Sequence, residues 1–168
     1  KLDEYGKGER VFDVNIAASE LARKAANDYS TPSRPRFVAG SMGPTGMLPS
    51  STDPDLGAIS PTDLEAIYYE QATALIRGGV DILLIETAQD ILEVKAAMFG
   101  AKRAIAEAKR PIFLQTQVTL IDASGRMLLG TDIGSAMTTI NAIGTDLVGI
   151  NCSTGPIEMT DAVRYLGE

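Results

Sequence analysis

Cys152 is the only cysteine of the chain, and it stands between Asn151 and the small polar run Ser153-Thr154-Gly155, just past the apolar stretch Leu147 to Ile150. A thiolate is both a nucleophile and a soft metal ligand, and the N-terminus of a helix opened by Gly155-Pro156 would favour its charge. One thiolate is not a zinc site, which takes three or four protein ligands, so its partners must lie elsewhere. Glu86 closes a second apolar stretch, Val80 to Ile85. A carboxylate at the end of a buried strand needs hydrogen bonds or a cationic partner. Glu86 therefore either caps the helix that begins near Asp90 or has a functional role at the site. Ser41 to Gly46, Thr87, Gln117 and Thr119 hold comparable places at the ends of apolar runs. The segment Asp53-Pro54-Asp55-Leu56-Gly57 lacks the third acid and the closing Glu of a calcium loop and reads as a solvated turn. With no histidine anywhere, Ser-His-Asp triads, Cys-His pairs and imidazole ligands are excluded for this chain taken alone.

The elements that must position these residues follow from periodicity. Val14, Ala17, Ala18, Leu21 and Ala25 recur at helical spacing, and the loop Thr31 to Pro35 separates them from a strand at Phe37-Val38-Ala39. Ser60-Pro61-Thr62-Asp63 predicts a helix start with the stripe Leu64, Ile67, Tyr68, Gln71 and Leu75, ended by Gly78-Gly79. Val80 to Ile85 is the next strand; Ile91, Val94, Met98, Ala101, Ile105 and Ala108 form a helix face; and Ile112 to Val118 is a third strand. A turn at Asp122 to Gly125 leads to a cap at Thr131 or Asp132 and the helix face Ile133, Ala136, Met137 and Ile140. Leu147 to Ile150 is the last strand, and Gly155-Pro156 opens a final helix carrying Met159, Val163 and Leu166. Met42, Met47, Met127 and Met137 read as packing residues.

Serial β/α units imply a parallel sheet, either doubly wound or closed into a barrel. The run Gly40 to Gly46 lacks the spacing of a phosphate-binding turn and carries Pro44 where a backbone N–H should point, which favours part of a (β/α)8 TIM barrel. An internal echo runs through it. Gly79-Val80-Asp81 and Gly144-Thr145-Asp146 each precede an apolar run, and Glu86 and Asn151 each fall seven residues after the glycine. The 15 Lys and Arg against 22 Asp and Glu give a charge of −7 without any basic run, so neither nucleic acid nor an anionic membrane is an expected partner. No apolar run approaches the roughly 20 residues that span a bilayer. A lone cysteine and a charged start without a secretory apolar core point to a reducing cytoplasm. Opening without Met and stopping in what reads as mid-helix, the chain is expected to be a fragment, 1–168, of one longer barrel domain.

Four segments in register carry a family resemblance: Val38 to Gly46, Leu84-Ile85-Glu86-Thr87, Gly125 to Asp132, and Gly149 to Pro156. In order and spacing they resemble the zinc-dependent homocysteine S-methyltransferases, and most closely the homocysteine-binding module of the cobalamin-dependent branch that makes methionine. The resemblance implies the middle portion of an eight-stranded barrel. It implies zinc held by three thiolates, of which Cys152 is one, the other two forming a Cys-Cys pair beyond this chain. Glu86 would bind the amino group of homocysteine, with Gly43, Pro44, Thr45 and Asn151 around the amino acid. Methylcobalamin, bound by another module of the same protein, would supply the methyl group, with a methyltetrahydrofolate-binding module as its source. A betaine- or S-methylmethionine-dependent member of the family, or a non-catalytic amino-acid-binding remnant of the barrel, are the alternatives. By itself the fragment is expected to be inactive.

Overall fold

The computed structural model describes residues 2–121 and 124–167, so Asp122 and Ala123 of the expected Asp122–Gly125 turn lie outside the described residues. Two short 3₁₀ turns lead into α1 (Val11–Tyr29), followed by β1 (Ala39–Met42), α2 (Pro61–Arg77), β2 (Ile82–Ala88), α3 (Ile91–Glu107), β3 (Phe113–Val118), α4 (Ile133–Ile143), β4 (Leu147–Ile150) and α5 (Thr160–Gly167). The four strands are parallel and stand in chain order, β1-β2-β3-β4. A doubly wound sheet reverses its strand order at a switch point; this one never does, which is the winding of a barrel. Right-handed crossovers then place the helices on one face, where α1 packs on α2, α2 on α3 and α3 on α4.

Alternation along the strands divides the sheet chemically. Met42, Leu83, Ile85, Leu114, Thr116 and Val118 are buried against the helices. Ser41, Leu84, Glu86, Gln115 and Gln117 point to the opposite face, where a closed barrel has its interior.

Several boundaries differ from those read in the sequence. β1 starts at Ala39 rather than Phe37, which is 68% exposed. Gly40 belongs in that strand for want of space, because a Cβ there would meet Leu75 and Val80 at 3.0 Å. β2 runs on through Glu86 to Ala88. The apolar stripe read in α1 faces outward, with Val14 43% and Leu21 72% exposed, and α1 buries Ser19 instead. Ile67 of the α2 stripe is likewise exposed. The final helix begins at Thr160, after turns through Pro156 to Met159, so no helix N-terminus stands directly behind Cys152.

The two halves of the echo perform one task. Gly79 and Gly144 both have positive φ, 98° and 92°. The acid two residues on then accepts a backbone N–H near the start of the neighbouring strand: Asp81 from Val38 at 2.7 Å, and Asp146 from Leu114 at 2.7 Å. Asp81 also pairs with Arg23 of α1.

Candidate active site at the strand ends

Between Ile85 and Ala88 the pairing of β2 with β3 slips by one residue. This is a bulge, a device that re-aims side chains. Thr87 takes the left-handed conformation within it (φ 58°), and its N–H, lost to the sheet, is accepted by Asn151 Oδ1 at 3.1 Å. Asn151 thus ties the end of β4 to the end of β2 across the intervening β3. Its Oδ1 also accepts the hydroxyl of buried Thr119 at 3.4 Å, while its Nδ2 donates to Glu86 Oε2 at 3.1 Å and to Thr87 Oγ1 at 2.9 Å. All four hydrogen-bonding positions of the amide are engaged.

Glu86 accepts a second hydrogen bond, from the Ser41 hydroxyl on β1. Both donors are neutral, and among the described residues the carboxylate has no cationic partner. The capping role is excluded: Asp90 is the N-cap of α3 and accepts from Leu92 N at 2.8 Å. Cys152 follows Asn151 in a left-handed conformation (φ 62°) and is exposed, with Sγ 3.6 Å from Thr87 Oγ1. The structure therefore gathers Ser41, Glu86, Thr87, Thr119, Asn151 and Cys152 at one end of the sheet.

Gly43, Pro44 and Thr45 are held by other residues, which the sequence reading missed. Glu93, in the first turn of α3, accepts Thr45 N at 2.8 Å, Thr45 Oγ1 at 2.6 Å and Tyr68 Oη at 3.0 Å on a single oxygen, Oε1. Its Oε2 is buried and unpartnered among the described residues. Tyr68 Oη also lies 3.2 Å from the Gly43 carbonyl. Burial first, then the adjacent Glu93 charge, pushes the Tyr68 phenol far above its ordinary range. Asp90 holds the far end of the same loop, accepting Ser50 N at 2.7 Å and Ser50 Oγ at 2.6 Å. The signal for both acids was in the sequence as the pattern Asp-x-x-Glu at a helix start. In the fold, however, Glu93 serves the loop.

Polar and thiol side chains are collected at the C-terminal ends of singly wound parallel strands, the face on which barrels of this winding carry their chemistry. The chain belongs to the homocysteine S-methyltransferase family, whose model matches residues 1–168. It is 39% identical over 165 residues to the methionine synthase of Mycobacterium tuberculosis and 37% identical over 167 residues to that of Mycobacterium leprae. These alignments cover 98% and 99% of this chain but 13% of each relative. The homocysteine methyltransferase MmuM from Escherichia coli has a similar fold, with a TM-score of 0.74 for its apo form (24% identity, 94% of this chain and 55% of that one) and 0.75 for its metallated form (23% identity, 92% and 54%).

Proposed function

We propose that this chain is part of the homocysteine-binding barrel of a methionine synthase and contributes one zinc ligand and part of the substrate pocket. The observation that carries this reading is the contact between Glu86 and Asn151, which sets a carboxylate on the same strand-end face as the Cys152 thiol. Among the described residues no three metal-binding side chains cluster, so Cys152 fits as a single soft ligand whose companions come from elsewhere in the protein. Zinc bound there would lower the pKa of the homocysteine thiol and hold it as a thiolate at neutral pH.

The residues of this chain do the positioning. Glu86 receives the substrate ammonium; Ser41 and Asn151 hold the carboxylate in place with neutral donors, so its charge is left for the ligand. The Gly43–Thr45 loop lies along the amino acid and is kept rigid from behind by Glu93. Methylcobalamin, held by another module of the same cytoplasmic protein, would supply the methyl group, a reading supported by the small share of the relatives' length that this chain spans.

In the full-length protein, Glu86→Gln is expected to weaken homocysteine binding by about 1.5 to 3 kcal/mol, the worth of a charge-assisted hydrogen bond, with zinc content unchanged. Cys152→Ala is expected to lower zinc content first. Calorimetry and metal analysis check both. Unchanged homocysteine affinity in the Glu86→Gln protein would remove Glu86 from the pocket.

A further inference from the structure

Three non-glycine residues among those described have left-handed backbone: Thr87, Cys152 and Ser153. Two of them touch, side chain to side chain, at the site. A β-branched residue disfavours this conformation, and such outliers collect where function over-determines the backbone. In Thr87 it has a visible result: the hydroxyl is carried to 3.6 Å from Cys152 Sγ.

The directions of the hydrogen bonds can be assigned. A carboxylate only accepts, so the Asn151 atom facing Glu86 is the amide nitrogen. The same nitrogen donates to Thr87 Oγ1, which leaves the threonine proton for another acceptor. A metal-bound thiolate has no proton to give, so the remaining bond runs from Thr87 O–H to the sulfur. The backbone N–H of the bulge is already satisfied by Asn151 Oδ1, and the hydroxyl is not needed for it.

We propose that Thr87 is the positioning residue of the metal-binding thiolate, its hydroxyl orienting Cys152 Sγ and withdrawing charge from it through a bond held in line by Asn151. This rests on the reading of Cys152 as a zinc ligand. Groups that hydrogen-bond to a ligating atom fix its orientation and tune its donor strength, and their loss costs about 10- to 100-fold in metal affinity.

The test uses the full-length protein with Thr87→Val, Thr87→Gly and Thr87→Ser. Zinc retention is measured against a chelator, and the sulfur-to-metal charge-transfer band is recorded after replacement by cobalt(II). Valine keeps the shape and the backbone strain but lacks the hydroxyl; glycine removes the strain as well, and adopts positive φ freely. Both are expected to hold zinc about tenfold less tightly and to move the band to lower energy. Serine is expected to match the wild type. Should valine fail to fold, glycine decides. A glycine protein with wild-type retention and band, or a serine protein that shifts with the others, overturns the proposal. Cys152→Ala run alongside separates the two layers: unchanged zinc there sinks the ligand reading itself, whereas zinc loss there without any Thr87 effect sinks only the role of Thr87.

Discussion

Glu93 shows how much of a site can rest on a residue that does not face it. One of its oxygens serves three donors from the loop and from α2, and the other meets none among the described residues, so the side chain is committed to the loop at the cost of half its own hydrogen bonding. Removing it strands those donors in a buried place. Glu93→Leu is expected to destabilise the protein by about 2 to 3 kcal/mol, since leaving a buried donor unpaired costs roughly 1 to 3 kcal/mol and the loop can relax toward water. Glu93→Gln, which keeps an accepting oxygen, should cost less; urea unfolding of the two variants gives the comparison. At this scale the sequence showed Glu86, Asn151 and Cys152 through their places after apolar runs. It did not show that Asn151 would satisfy Thr87, because a bulge depends on the neighbouring strand, and 64 residues separate the two.

Elements were legible where a local signal and a buried face coincide. Ser60 caps α2 by accepting from Asp63 N at 3.1 Å, where side-chain chemistry placed it, and Asp132, one of the two candidates with Thr131, caps α4 by accepting from Ser135 N at 3.0 Å. β1 was misplaced because Phe37-Val38 is the apolar pair that propensity favours, while the strand itself contains Gly40 and Ser41 and forms by pairing with β2. The stripe of α1 marked a helix correctly but could not tell that it would lie exposed, since periodicity reports a face and not what covers it. The repeated acid before each apolar run was seen only as an echo; its meaning required the partner strand. Asp81→Ala is expected to cost about 1 to 3 kcal/mol by freeing Val38 N–H, with amide exchange accelerated at Val38. Leu114, held by Asp146, should keep its protection.

Among the described residues the sheet ends at β1 on one side and at β4 on the other, with large apolar residues exposed at both, Phe37 just before the first and Leu147 in the second. Edges of this kind recruit other chains. A charge of −7 opposes association, but surface repulsion is screened beyond about 8 Å at physiological salt. These 168 residues expressed by themselves are therefore expected to form dimers or larger species by light scattering. A monomer whose β1 and β4 amides exchange as slowly as those of β2 would show instead that the chain closes a domain of its own. The bond from Thr87 N–H to Asn151 also has a meaning in time. A chain synthesised at about 5 to 20 residues per second delivers Asn151 on the order of ten seconds after Thr87, so the left-handed turn that aims the threonine waits, unsupported, for an amide not yet made. Of the four strands described, the strand-end cluster is complete only once the last has been made.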